Sequence, residues 1–256
     1  MTALSEKLRQ KYFGGRPHPY RLLEQEIEKH VFPYAVIVDA GCGRSAPVLV
    51  KFRGKAKRLV GIDLVDFPAA IPGLELINGD LSGNLHLPDA SVDLVYSRSV
   101  MEHLQEPGRA YAEVGRILKP GGKFIFLTAN KLDYASLIAM ATPNRWHGWI
   151  VRRTEGRNEE DVFPTAYKTN TKKSIESFAR KSNLDVVLLT HLGQYPSYFM
   201  FNGGLFLLAT LYQKTIERVP PLRCLQGWIF AILQKPSSAQ PSDLAVAARA
   251  LPGGGL

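Results

Sequence analysis

Cysteine is scarce. Only Cys42 and Cys224 occur in 256 residues, far apart and without a CxxC partner. That argues against a disulfide framework and a structural zinc site, and it fits a reducing, cytoplasmic setting. Long apolar runs are missing as well. The longest, FMFNGGLFLLATLY over 199–212, falls short of the roughly 20 residues a bilayer span needs, and Asn202 interrupts it. The opening MTALSEKLRQKYFGG carries charges but no apolar centre, so it does not read as a signal peptide. Acid is in deficit too, with 32 Lys and Arg against 23 Asp and Glu, a net charge of +9. A basic surface favours anionic lipid, nucleic acid or a phosphorylated substrate, or it is simply a solvated basic face. No internal repeat is visible.

What the chain does contain alternates. Tyr20, Leu23, Ile27 and Val31 recur at helical spacing and predict a helix over 18–31. YAVIVDAGCG follows as a buried strand ending in a Gly-rich turn, then a short helix near 46–53. RLVGID (58–63), LELIN (74–78), SVDLVYS (91–97) and KFIFLTA (123–129) read as further strands. A helix from about Gly108 to Leu118 is expected to stop at KPGG. Past an irregular, aromatic and basic stretch at 131–165 come a helix at about 171–182, a strand at 184–192 and a second insertion at 196–222 holding an amphipathic helix. WIFAILQK (228–235) is read as the last strand. The expected organisation is an N-terminal helical cap over 1–31, one domain over 32–235 with those two insertions, and a disordered tail over 236–256, rich in small residues, Pro and Gly. Apolar strands without strict alternation suit a mostly parallel sheet covered by helices on both faces, an α/β doubly wound fold.

The chemistry-bearing signal is Val36 to Gly43. A buried strand ends in an acid, Asp39, followed by a turn with Gly41 and Gly43. Glycine there lets a ligand approach the backbone and permits positive φ. Such turns sit at the carboxyl edge of the sheet, where open α/β sheets bind ligands. Asp63 ends the next strand, 20 residues beyond Gly43, where a carboxylate accepts both hydroxyls of a ribose. Asp80 follows the third strand. It is placed to accept from an adenine amino group while the Leu81 N–H serves a ring nitrogen. A dinucleotide fold uses a similar layout, but it wants G-x-G-x-x-G before a helix. Here the turn is GCGRSAP, without the third glycine, and Asp39 would repel a pyrophosphate while suiting a cationic amino group or sulfonium. Cys42 reads as a small buried residue, since no histidine lies near it in sequence.

VIVDAGCG, GIDL, NGDLSGNLHLPDASVDLVYSRSVMEHL and EVGRILKPGGKFIFLTAN, in that order and spacing, resemble the motifs of class I S-adenosylmethionine-dependent methyltransferases. They are most similar to the small-molecule branch that includes the ubiquinone- and menaquinone-biosynthesis enzymes. The resemblance covers residues 30–130, with a weaker likeness over 160–192. It implies a Rossmann-like seven-stranded sheet of order 3-2-1-4-5-7-6 with strand 7 antiparallel. It implies S-adenosylmethionine as cofactor. Asp39, Gly41 and Gly43 would then wall the methionine part, Asp63 and Leu64 the ribose, Asp80 and Leu81 the adenine, and Ser97 would lie near the methionine end. Ser97-Arg98-Ser99 stands where nucleic-acid and protein amine methyltransferases often carry Asn-Pro-Pro-Tyr/Phe, which argues against N-methylation of adenine or glutamine.

His103 in MEHL is the candidate general base, because it follows the fourth strand and titrates near neutral pH. Pairing it with Glu102 as metal ligands is disfavoured, since adjacent residues on a helix point apart, and no metal is expected. The expected acceptor is a small molecule, a glycan or a lipid-like compound, methylated on oxygen or carbon; nucleic acid is not favoured. Two segments offer peripheral membrane contact. One is 144–153 with Trp146, Trp149, Arg145, Arg152 and Arg153; the other is 204–218 with Leu205, Leu208, Tyr212 and Ile216 on one stripe. Two rivals stand beside the methyltransferase: a nicotinamide-dependent oxidoreductase and a non-catalytic, cofactor-binding membrane-surface protein.

Overall fold

A computed structural model describes residues 1–141 and 164–237. Seven strands form one sheet in the order β3-β2-β1-β4-β5-β7-β6. They are β1 (Val36–Ala40), β2 (Arg58–Asp63), β3 (Glu75–Asn78), β4 (Val92–Arg98), β5 (Leu118–Ala129), β6 (Asp185–Leu192) and β7 (Trp228–Gln234). β1 through β5 pair in parallel; β7 runs antiparallel between β5 and β6. The central strands are buried on both sides, which explains why VIV and FIF do not alternate with polar residues.

Six α-helices occur among the described residues: α1 (Ala3–Phe13), α2 (Pro19–Glu28), α3 (Pro107–Ile117), α4 (Tyr134–Ala141), α5 (Lys172–Lys181) and α6 (Gly203–Arg218). On one face of the sheet, α3 and α5 pack Tyr111, Val114, Ile117, Ile175 and Ala179 against Val95, Phe124 and Phe126. On the other, α2 presents Leu23 and Ile27 to Ile37, Leu94 and Ile125. Gly115 lets α3 meet the end of α5, because a Cβ there would lie 2.8 Å from the Ser182 carbonyl.

The chain departs from its expected course at three places. KPGG does not separate α3 from a strand. β5 begins at Leu118, opposite Val92, and Lys123 already pairs with Leu94, so KPGG bulges out inside the strand with Gly121 at φ +81. The helix expected near 46–53 shrinks to a single 3-10 turn, Leu49–Phe52, because Ala46 adopts φ +42 and Pro47 follows it. The MEHL segment is a turn rather than a helix, with His103 N–H donating to the Val100 carbonyl. The helix after it starts only at Pro107.

The N-terminal helix and the second insertion form one unit. Thr2 N–H and Ser5 Oγ both donate to the Met200 carbonyl, at 3.0 and 2.7 Å. Phe13, Met200 and Phe206 make a small core of their own. Asn130, one residue past β5, donates to the Cys224 and Gln226 carbonyls at 2.6 and 2.7 Å, which pins the segment before β7 to the carboxyl edge. The tail from 238 and the stretch 142–163 lie outside the described residues.

Thr171 caps α5 through a reciprocal box with Ser174, each hydroxyl serving the other's backbone N–H at 3.1 Å. Thr171→Ala is expected to cost about 1 kcal/mol. Urea unfolding would show this as a lower midpoint with an unchanged slope.

Candidate functional site

The site grows from the turn after β1. Gly41 has φ +91, and its bare α-carbon faces Val100 so closely that a Cβ would fall inside the valine's Cγ2. Gly43 has φ +70, and no atom lies within 4 Å of where a Cβ would stand. The first glycine is required by the protein's own packing; the second leaves open space over the backbone, the cradle a ligand needs. The Gly41 and Cys42 N–H groups donate to the Ile62 carbonyl at 2.7 and 3.2 Å, stitching the turn to the end of β2.

Asp63 completes the stitching. Its Oδ2 accepts from Gly43 N–H at 2.7 Å, and its Oδ1 from Val65 N–H at 3.2 Å. Each oxygen keeps a second lone pair for a further donor. Leu64 beside it is exposed. Gly79 N–H donates to the Asp63 carbonyl at 2.9 Å, which brings the β3 end alongside. Asp80 is exposed there; its Oδ1 accepts from Ser82 N–H at 2.8 Å. Leu81 buries its side chain in the core, so only its backbone faces the edge. Asp39, Asp63 and Asp80 therefore stand on three successive strand ends.

Asp39 is 3 % exposed and accepts from the Tyr96 hydroxyl at 2.8 Å. Burial pushes its pKa up to about 7; the Tyr96 hydrogen bond and Arg98 pull it down, and Asp63 pushes it up. Burial, with Asp39 and Asp63 nearby, also drives the Cys42 thiol far up, so Cys42 stays a thiol and is no nucleophile.

Ser97 lies inside β4 and is fully buried, and its Oγ has no hydrogen-bond partner among the described residues. Its neighbours on the rim are more open. Ser99, at φ +58, shares a 3.1 Å hydrogen bond with the Tyr20 hydroxyl, and the Arg98 guanidinium lies 4.7 Å from the Tyr20 ring centre. His18, Tyr20 and Trp228 form an edge-to-face cluster, with Tyr20 and Trp228 5.4 Å apart. Asp133, at the N-terminus of α4, is 6 % exposed and lies beside Gly227; burial pushes its pKa up to about 6 against the pull of three backbone amides.

His103 sits at the far side of the Val100 turn, and its Nδ1 lies 3.1 Å from the Pro164 carbonyl. The tautomer protonated on Nδ1 donates to that carbonyl and makes Nε2 the basic nitrogen. Its neighbour Glu102 is buried: the Thr128 hydroxyl donates to it at 2.7 Å, and its own carbonyl accepts from Ala166 and Tyr167 N–H. Asn170 joins at Thr128, 2.7 Å away. The pair Glu102–His103 is thus a latch and a rim residue, and no group of metal-ligating side chains occurs among the described residues.

The segment from Val38 to Phe126, which carries the turn and the successive strand-end acids, matches the family model described as a methyltransferase domain. The match spans about a third of the chain, and the seven-stranded sheet of order β3-β2-β1-β4-β5-β7-β6 extends beyond it to β6 and β7. A probable S-adenosylmethionine-dependent methyltransferase of Mycolicibacterium smegmatis is 33 % identical over 106 residues, 39 % of this chain and 40 % of that one. A ubiquinone biosynthesis O-methyltransferase of Nitrosococcus oceani is 32 % identical over 113 residues, 41 % of this chain and 48 % of that one. The chain thus spans less than half the length of these relatives. The solved S-adenosylmethionine-dependent methyltransferase of Mesorhizobium loti superposes with a TM-score of 0.55 at 17 % identity, over 84 % of this chain and 96 % of that one. That likeness concerns the fold of the methyltransferase domain.

Sequence reasoning placed Asp39, Gly41, Gly43, Asp63 and Asp80 on one edge but did not see Tyr20, Trp228 and Asp133 join them. Tyr20 reads as one more apolar helix position and Trp228 as a strand start; their meeting depends on contacts some 200 residues apart along the chain. Asp133 had a local signal, an acid just before an apolar helical run.

The Asp39 carboxyl binds its proton more tightly in the fold than in the unfolded chain. Between 3.8 and about 7 the folded state therefore holds a proton that the unfolded chain has released. This contribution favours the fold below that window and is lost as pH rises through it. Asp39→Asn is expected to flatten the decline in cofactor-free stability between pH 5 and 8. Urea midpoints at both pH values read the difference, and a wild-type and a variant of equal slope would contradict it.

Proposed function

We propose that this chain transfers a methyl group from S-adenosylmethionine to a small-molecule, glycan or lipid-like acceptor, at oxygen or carbon. The observation that carries the reading is the open left-handed turn at Gly43 with its N–H held by Asp63 and a buried Asp39 behind it. Asp63 with the Leu64 backbone would hold the ribose, Asp80 and Leu81 N–H the adenine, and the Asp39–Gly43 turn the methionine part with its ammonium. The turn runs into a 3-10 helix of only four residues, which offers no helix N-terminus for a pyrophosphate. This supports a nucleoside carrying an amino acid over a nicotinamide dinucleotide.

When bound, S-adenosylmethionine supplies an already activated methyl on a sulfonium. The protein's task is then alignment and exclusion of water. Tyr20, Trp228 and Ser99 line the rim beyond Arg98 and suit a flat or apolar acceptor with one polar group to orient. For a hydroxyl acceptor, His103 Nε2 would take the proton as the new bond to the methyl carbon forms. Relatives named for ubiquinone and sterol methylation support an apolar acceptor, and those named for trans-aconitate and dimethylglycine methylation a polar one.

Calorimetry with S-adenosylhomocysteine tests the cofactor reading. Binding is expected for the wild type, and Asp63→Ala should weaken it roughly 10- to 100-fold, the worth of lost hydrogen bonds to a charged group. Binding of NAD in place of S-adenosylhomocysteine would reverse the assignment. Labelled S-adenosylmethionine incubated with host extract should yield a labelled product, and His103→Ala should lower its rate without changing cofactor affinity.

A further inference from the structure

α6 is built inside out. Its inner face buries Thr210 and Gln213, at 1 % and 4 % exposure, alongside Phe206 and Ile216. Its outer face carries Leu208 and Leu211, 64 % and 53 % exposed, with Leu205 and Tyr212 at their flank. A surface helix ordinarily shows the reverse pattern. α4 continues the apolar surface, because Tyr134 at its start meets Tyr212 ring to edge at 5.8 Å and its Leu137 and Met140 are exposed. Phe201, just before α6, is exposed as well. Neither helix is long and apolar enough to cross a bilayer.

Charge accompanies this surface. Arg218 lies two turns beyond Leu211 on the same face of α6, and Arg223 follows in the next turn; both are exposed. α1, packed against α6, exposes Lys7 and Lys11. Around these cations the helix pair has only Glu6 and Glu217 as acids, and Glu217 is held by Arg16 at 3.0 Å. An exposed apolar stripe can enter a lipid interface while neighbouring arginines extend their guanidinium groups to the headgroups. A protein partner would be served by the leucines alone, whereas the basic helix pair complements an anionic surface.

We propose that α4 and α6 seat this protein on an anionic lipid bilayer, with Leu208 and Leu211 at the acyl boundary and Arg218 and Arg223 at the phosphate headgroups. The contact stands apart from methyl transfer and holds whichever cofactor the domain binds. It also turns the carboxyl edge of the sheet, where α4 begins, toward the membrane.

Co-sedimentation of the full chain with vesicles tests it, using phosphatidylcholine alone or mixed with phosphatidylglycerol. Pelleting is expected with the anionic vesicles, weakened at least about tenfold by high salt and on pure phosphatidylcholine. The double variant Leu208→Glu/Leu211→Glu should lose it while keeping its circular dichroism and its S-adenosylhomocysteine affinity. Replacing Arg218 and Arg223 by Gln should weaken it with both leucines intact. Absence of pelleting, equal pelleting on both vesicle types, or retention by the leucine variant would overturn the proposal. A wild-type dimer in sedimentation that the leucine variant abolishes, without vesicle binding, would assign the face to a second copy of the chain.

Discussion

The contact between Val100 and the bare α-carbon of Gly41 sets how closely the ends of β1 and β4 approach. A side chain at 41 would force the two loops apart. Everything on the carboxyl edge follows from that closeness. The β1 turn is pressed down far enough for Gly41 and Cys42 to reach the Ile62 carbonyl and for Gly43 to reach Asp63. The same turn after β4 carries Ser99 toward Tyr20 and His103 toward Pro164. One steric constraint thus places the open turn at Gly43 and the Tyr20–Ser99 rim side by side.

The electrostatics of the cleft are set by burial more than by partners. Asp39 has a hydrogen-bonding phenol and a nearby guanidinium, yet desolvation dominates and lifts its carboxyl toward neutrality. Asp63 remains at the rim with backbone amides as partners. The two acids therefore offer different things to a ligand: a shielded group that gains from a cation brought against it, and a solvated acceptor for hydroxyls. A cation brought against Asp39 would offset the cost of ionising it, and its binding would then favour the charged carboxylate.

The elements outside the central sheet have a different logic. α1 and α6 fold onto each other through Met200 and Phe206 and are tied to the sheet by Asn130 and the Tyr134 contacts. α6 places Thr210 and Gln213 inside and its leucines outside, contrary to what hydrophobic burial alone would select. Covering that outer face with a second apolar phase would lower its free energy.

The seven strands and the acid-bearing strand ends were readable from the chain because both signals are local, whereas the strand order came only with the family resemblance. A buried strand is a short apolar run, and a ligand turn is an acid followed by glycines within five residues. The spacing of four motifs then fixed the family resemblance. Other features were not local. Ala46 at positive φ ended the expected helix at a single 3-10 turn, and KPGG became a bulge because β4 and β5 slip past each other there. Glu102 and His103 parted company in a turn, one clamped under Thr128 and the other facing Pro164. Tyr20, Trp228 and Asp133 met only through folding, since pairing across such separations depends on how layers stack, and no periodicity in the chain encodes it.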